Sequence, residues 1–147
     1  MIATKLFALA GDATFTVTSK ATGTRFTYKV EKKEEFNRHL VKVLTGPDNW
    51  ANYKYFGVIR PDGSFAFANP EKAKVSADAP SAKAFAFLWR HVDGQPFILK
   101  STGETVTLPE VVDVHHEGKC CRCGRKLTVP ESIESGIGPE CAKLMGL

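Results

Sequence analysis

All four cysteines of the chain lie between residues 120 and 141, and two of its four histidines stand shortly before them. Thiolates and imidazoles are the ligands that zinc prefers in proteins. Cys120-x-x-Cys123 has the spacing of a zinc knuckle, and Gly124 supplies the turn freedom that such a loop needs. Cys141 follows Pro139, a residue that suits a helix start, where free N–H groups stabilise a thiolate. The pattern therefore predicts a zinc site.

The fourth ligand has three candidates, His115, His116 and Cys121. Adjacent residues of a strand point to opposite sides, so only one of the two histidines should face the metal. His116 stands four residues before Cys120, with Gly118 between them to allow a bend. We predict His116 as the fourth ligand, and His115 and Cys121 remain alternatives. A knuckle followed by a cysteine at a helix start is the layout of a treble-clef-like finger.

Four protein ligands would close the coordination sphere of the zinc ion and leave no position for water. We therefore expect one structural Zn²⁺ and no enzymatic activity. A catalytic zinc would need an open position, with Glu117 or Glu140 as the base, and this alternative is less favoured. An iron–sulfur centre and a redox Cys-x-x-Cys are also less favoured, because no strand-to-helix context of the thioredoxin kind precedes the motif.

Further residues of the tail share a recurring pattern with known sequences. It runs His116-x-Gly118-x-Cys120-x-x-Cys123-Gly124-Arg125-x-Leu127-Thr128-x-Pro130-x-Ser132 and then Gly136-x-Gly138-Pro139-x-Cys141. This pattern resembles an uncharacterised domain family found in phages and bacteria, especially actinobacteria. Cys121 departs from it, since the family usually has glycine there. The resemblance implies a zinc finger and a mobile-element origin, and it implies no established activity.

Basic residues surround the cysteines and continue on the predicted sheet. The chain has a formal charge of +4, and residues 1–60 carry ten Lys/Arg against five Asp/Glu. Such a field attracts nucleic acid, although a solvated face that keeps the chain soluble is the competing interpretation. The predicted nucleic-acid contacts are Lys119, Arg122, Arg125, Lys126, Arg25 and Lys29. The aromatic residues that could add stacking are Phe26, Tyr28, Tyr53, Tyr55 and Phe56, although strand alternation should bury most of them.

A protein partner is the alternative ligand. Small phage products inhibit or redirect host defence or replication machinery, and an exposed sheet edge or the Trp50–Tyr55 loop would be the contact surface. The N-terminus lacks the pattern of a signal peptide, and no window reaches the ~18 apolar residues of a membrane span. We therefore expect a location in the cytoplasm, that of the host if the chain is phage-encoded, and no membrane partner.

The elements that position these residues follow from hydrophobic periodicity. Alternating apolar residues and turn signals predict a hairpin over residues 13–31, a third strand over 40–44, and a second hairpin formed by 53–60 and 65–68. The period then changes to that of a helix, with Ser81 as its cap and Phe85, Leu88 and Trp89 on one face.

Short extended pieces are predicted at 96–99, 104–108 and 111–114. The predicted fold class is thus α+β. An antiparallel sheet of about five strands is covered by one helix over residues 1–114, and a treble-clef-like zinc finger over 115–147 packs on it.

Overall fold

In a computed structural model of the chain, the alternating residues after Gly11 form the predicted first hairpin. β1 (Asp12–Ser19) pairs with the antiparallel β2 (Arg25–Lys33), and Gly23 takes a φ of 74° in the turn between them. Glycine adopts this left-handed conformation without strain. The structure describes residues 8–9, 11–33, 35, 37–45, 52–116, 143–144 and 146.

Three further strands extend this hairpin into a meander. They are β3 (Arg38–Leu44), β4 (Tyr53–Ile59) and β5 (Phe65–Phe67), each antiparallel to the strand before it. In the tight turn between β4 and β5 the amide of Gly63, which has a φ of 87°, donates to the carbonyl of Arg60 at 2.9 Å. The prediction of five consecutive antiparallel strands is therefore confirmed.

One helix, α1 (Pro80–Arg90), covers a face of this sheet, and its predicted apolar residues Phe85, Leu88 and Trp89 are buried. The prediction of Ser81 as the cap is wrong. The helix begins at Pro80, whose ring already sets φ to a helical value, and Ala79 is the residue before it. Ser81 serves tertiary packing instead, since its carbonyl oxygen accepts a 2.6 Å hydrogen bond from the hydroxyl of Tyr28.

The chain after α1 forms a small hairpin, a short helix and one more sheet strand. β6 (Phe97–Ile98) pairs with β7 (Thr105–Val106), and α2 (Leu108–Val111) leads into β8 (Val112–His116). β8 pairs antiparallel with β1, so the strand order is β5-β4-β3-β2-β1-β8. Within the described residues the main sheet has six strands where about five were expected, because most of the predicted short piece at 111–114 belongs to the edge strand β8.

The sequence predicts Leu108 as the end of one extended piece and Val111 as the start of the next, but both residues belong to α2, so these two bounds are wrong. Thr107 and Glu110 form a reciprocal capping box, in which the Glu110 carboxylate accepts from the backbone amide of Thr107. Pro109 stands in the first helical turn, where its missing N–H costs no hydrogen bond. These local interactions favour a helical turn over extension of β7.

The hydrophobic core lies between α1 and the sheet, and aromatic rings dominate it. Tyr28 and Phe85 meet edge to face with their ring centroids 5.0 Å apart, and Phe56 packs against both. The buried side chains of the main meander all lie on the face that α1 covers, and they are Ala13, Phe15, Val17, Tyr28, Val30, Val41, Val43, Phe56 and Ile59. This arrangement is the α+β architecture predicted from the sequence.

We call the opposite side of the sheet the outer face, and its side chains are half-buried or exposed. Its described residues include Thr14, Thr16, Thr18, Arg25, Thr27, Lys29, Glu31, Lys33, Arg38, Leu40, Lys42, Leu44, Tyr53, Tyr55, Val58, Ala66, Asp113 and His115. Among the residues that the structure describes, no helix is both long and apolar enough to span a membrane.

Candidate functional site

The last two residues of β8 are the adjacent histidines of the predicted zinc site. His115 pairs with Thr16 and is exposed on the outer face, whereas the backbone of His116 lies opposite Phe15. The two histidines therefore occupy register positions on opposite faces, as the strand argument for a single histidine ligand requires. The predicted domain boundary between residues 114 and 115 falls inside β8, so both histidines are part of the sheet.

The remaining predicted residues of the tail lie outside the described part of the chain. They are the zinc ligands Cys120, Cys123 and Cys141, the alternative Cys121, and the basic residues Lys119, Arg122, Arg125 and Lys126. Among the described residues there is no group of three or more metal-ligating side chains. The zinc site thus stays a prediction from the sequence.

The predicted contact Lys29 belongs to a cluster of three lysines on the outer face. The ammonium groups of Lys29, Lys33 and Lys42 lie 3.4, 3.6 and 3.2 Å from carboxylate oxygens of Glu31. Lys42 also donates a hydrogen bond to the second oxygen of that carboxylate at 3.3 Å. One carboxylate neutralises one ammonium, so the cluster keeps a positive excess.

The position of Glu31 among these lysines alters its titration. Burial by itself raises the pKa of the carboxyl, but the hydrogen bond from Lys42 and the charges of Lys42 and Lys29 outweigh burial and hold the pKa below its usual value. The carboxylate therefore stays ionised and holds the lysine side chains at the centre of the outer face, which reduces the freedom that they would lose on binding an anion.

A β-bulge places two tyrosines beside this cluster. Val41 pairs with Gly57, but the next residue of β3, Lys42, pairs with Tyr55, so that Phe56 is an extra residue in β4. Phe56 turns into the core, where it is 1% exposed. Regular alternation from Ile59 would have sent residues 55 and 53 to the core side. The bulge reverses their direction and brings Tyr53 and Tyr55 to the outer face.

One contact and the strand register agree with this orientation. The ammonium group of Lys29 lies 5.6 Å from the centre of the Tyr53 ring, a distance at which a cation is attracted to an aromatic face. Tyr55 stands opposite Lys42 in the ladder, and Lys42 stands opposite Lys29. Both tyrosines are half-buried and therefore supported by neighbours while part of each side chain stays accessible.

Hydroxyl groups and a further cation occupy the β1 side of the outer face. The hydroxyls of Thr16 and Thr27 share a hydrogen bond of 2.7 Å across the strands. Arg25, one of the predicted contacts, is exposed and stands opposite Thr18. The outer face therefore presents cations, hydroxyls and aromatic rings together, which is the set of groups that contacts the phosphates, sugars and bases of nucleic acids.

Three of the aromatic residues proposed for stacking do not reach this face. Tyr28 and Phe56 are core residues with 0% and 1% exposure, and burial raises the pKa of the Tyr28 hydroxyl. Phe26 lies on the core side, opposite Val17, and lines a cavity of about 560 Å³ between α1 and the first hairpin. Only Tyr53 and Tyr55 of the proposed set are on the outer face.

Lys42 and Glu31 were absent from the predicted site, although the sequence held a signal for them. Both occupy strand positions that alternate with buried valines, Lys42 between Val41 and Val43 and Glu31 beside Val30. The strand period therefore placed them on the outer face with Lys29. Their mutual contact follows only from the register between β2 and β3.

Comparison with known proteins locates a family match in the tail. The Family of unknown function (DUF6011) matches residues 113–146. The match begins within β8 and includes both adjacent histidines and all four cysteines, and it agrees with the resemblance to an uncharacterised domain family. No curated protein and no solved structure matches the chain.

Proposed function

We propose that this protein binds nucleic acid through the outer face of its sheet, with the basic side chains of the tail adding contacts and a zinc ion serving a structural role. The observation that carries the proposal is the cluster of Lys29, Lys33 and Lys42 around Glu31, beside Tyr53 and Tyr55. A positive surface of this kind supplies phosphate contacts, which dominate the affinity of proteins for nucleic acids.

The tail extends this surface in our proposal. β8 pairs with β1, the strand that bears Thr16 and Thr18, and it ends at His116. The four basic residues of the tail follow directly in the sequence and supply further phosphate contacts. His116, Cys120, Cys123 and Cys141 are the proposed zinc ligands, and a site with four protein ligands stabilises the fold of its segment without performing chemistry. The proposed function is therefore non-enzymatic, and the resemblance supports a phage or mobile-element origin.

A separate observation supports the alternative that the protein binds another protein. β5 is an edge strand of three residues, and its Phe67 is 42% exposed. An extended peptide of a host protein could pair with this edge and bury the Phe67 ring. The test is a pull-down from nuclease-treated host lysate. This alternative is supported if the wild type captures a stoichiometric partner and Phe67→Asp does not.

The nucleic-acid proposal is tested by fluorescence anisotropy with labelled single-stranded and duplex oligonucleotides over a salt series. We expect binding that weakens steeply with salt, because each phosphate contact releases counterions. Lys42→Gln and Lys29→Gln should each weaken binding and flatten the salt dependence. Glu31→Gln should strengthen binding, because removing the negative charge at the centre of the lysine cluster outweighs the loss of the ion pairs that hold the lysine side chains in place.

The matched control is Lys83→Gln, which removes an exposed charge from α1 on the other side of the sheet. This variant should retain the affinity of the wild type. An absence of binding to all oligonucleotides at low salt would overturn the proposed function, as would equal effects of Lys83→Gln and Lys42→Gln.

A further inference from the structure

The register of the sheet aligns four outer-face residues in one row across the strands. Tyr55 stands opposite Lys42, Lys42 opposite Lys29, and Lys29 opposite Thr14. Neighbouring strands lie about 4.8 Å apart, so the row spans roughly 14 Å. It presents an aromatic ring, two cations and a hydroxyl in that order.

A second ring stands next to the end of this row. Tyr53 and Tyr55 are two residues apart on one strand and share the outer face, which separates their attachment points by roughly 7 Å. Each ring is thus placed to stack on a separate base. Base–aromatic stacking accepts every base, because every base has a π face.

The contacts of Lys29 suggest how one nucleotide binds, with its base on the Tyr53 ring and its phosphate on the ammonium group. Its ammonium lies 5.6 Å from the Tyr53 ring centre and 3.4 Å from a Glu31 oxygen. A base that stacks on Tyr53 takes the place of the ammonium on the ring. The ammonium then has the phosphate of the same strand as a partner, with Lys42 beside it.

Duplex nucleic acid does not offer these contacts. Its bases are stacked on each other inside the helix, so their faces cannot meet rings on the surface of a sheet, whereas phosphates are accessible in both forms. Lysines alone would bind duplex and single strands alike. The tyrosines beside the lysines distinguish the two.

We propose that the row of Tyr55, Lys42, Lys29 and Thr14, together with Tyr53, is a binding site for single-stranded nucleic acid. Bases stack on Tyr53 and Tyr55, and Lys29 and Lys42 contact phosphates. This inference rests on the proposed function and specifies its ligand class.

The test measures the affinity of the full chain for a 12-mer of deoxythymidine, a 12-mer of uridine and a duplex of equal length. We expect the single strands to bind at least about tenfold tighter than the duplex. Tyr53→Ala and Tyr55→Ala should each weaken single-strand binding by about 5- to 150-fold, the range for losing one base–aromatic stack, and leave duplex binding unchanged. Tyr53→Phe and Tyr55→Phe keep the ring and should retain most of the affinity.

The salt dependence separates stacking from phosphate contact. Lys42→Gln should reduce the slope of log affinity against log salt by about 0.7 for a single strand, whereas the tyrosine-to-alanine variants should leave the slope unchanged. Preference for the deoxythymidine or the uridine oligomer identifies the natural polymer, and either preference supports the inference.

A measurement on the unaltered chain covers the case in which a tyrosine variant fails to fold. Photo-crosslinking to a 12-mer that contains bromouracil, followed by mass spectrometry, should join a base to Tyr53 or Tyr55. Crosslinks confined to residues outside the outer face would overturn the inference. Equal binding of duplex and single strands with no effect of the tyrosine variants would also overturn it and leave the proposed function standing. Failure to bind any oligonucleotide would overturn both the inference and the proposed function.

Discussion

The ring of Phe65 packs directly over the α-carbon of Gly57, in the middle of the bulge that turns Tyr53 and Tyr55 outward. A Cβ atom at Gly57 would lie 2.7 Å from Cζ of Phe65, which is too close for a real contact, and 3.0 Å from the carbonyl oxygen of Ala66, which is an unusually tight one. Because residue 57 has no side chain, β5 can pair closely with the bulged strand β4. The Phe65 ring in the core therefore packs against the same bulge that turns Tyr53 and Tyr55 to the outer face.

Gly57→Ala should lower the free energy of unfolding by about 1–3 kcal/mol, because the added methyl group forces the Phe65 ring or the β5 backbone to move. Urea denaturation measures this loss. The double variant Gly57→Ala with Phe65→Leu should lose less than the sum of the two single variants, since the smaller side chain relieves the clash. Strict additivity of the two changes would contradict the packing argument.

Tyr28→Phe should lower the free energy of unfolding by about 0.5–1.5 kcal/mol, because it removes the 2.6 Å hydrogen bond that the tyrosine hydroxyl donates to the carbonyl of Ser81. Oligonucleotide affinity should not change, since Tyr28 is in the core. Thermal denaturation and anisotropy on the same preparation check both parts. Reduced affinity with unchanged stability would place Tyr28 at the ligand and refute its assignment to the core.

Glu31 should make stability depend on pH in the acid range. Its folded pKa lies below the unfolded value of about 4.3, so between the two values the unfolded chain binds more protons. The stability that Glu31 contributes is therefore present above pH 4.3 and is lost as the pH falls through the folded pKa. Urea titrations from pH 6 to 3 should show a shallower loss for Glu31→Gln than for the wild type.

The matched control for this titration is Glu104→Gln, which alters an exposed carboxylate in the turn between β6 and β7. It should follow the wild-type pH dependence. Identical curves for wild type and Glu31→Gln would show that the lysine cluster does not stabilise the ionised carboxylate in solution.

The tail should bind one zinc ion per chain, measured by elemental analysis of the purified protein. Serine at Cys120, Cys123 or Cys141 should abolish this content, whereas serine at Cys121 should have little effect. Zinc stabilises a segment whose ligands it holds together, so a chelator should lower the melting temperature of the wild type. Full zinc content after Cys141→Ser would refute the proposed ligand set.

The two adjacent histidines offer the sharpest internal control for the metal site. His116→Ala should reduce zinc content, whereas His115→Ala should retain it, because the two histidines occupy opposite faces of β8 and the spacing to Cys120 favours His116. Loss of zinc in His115→Ala with zinc retained in His116→Ala would identify His115 as the fourth ligand. The metal would then lie on the side of β8 that belongs to the outer face.

Local patterns in the sequence were sufficient for most of the elements. The period-two alternation on both sides of Gly23 predicted the first hairpin, and the spacing of Phe85, Leu88 and Trp89 predicted the buried side of α1. These signals are reliable because each reflects burial of one face of a single element. The Ser81 prediction failed because a proline one residue earlier can begin a helix without a side-chain cap.

The tertiary structure alone decided which residues form the candidate site. Sequence alternation placed Lys29, Glu31 and Lys42 on one side of their strands, but only the register between β2 and β3 brings them into contact. The bulge at Phe56 is a property of two strands paired together, so the sequence period could not show that Tyr53 and Tyr55 face outward. The sequence determined the elements and the ligand types of the tail, because those depend on neighbours along the chain. Pairing between distant segments determined the outer face, because contacts across a sheet depend on register.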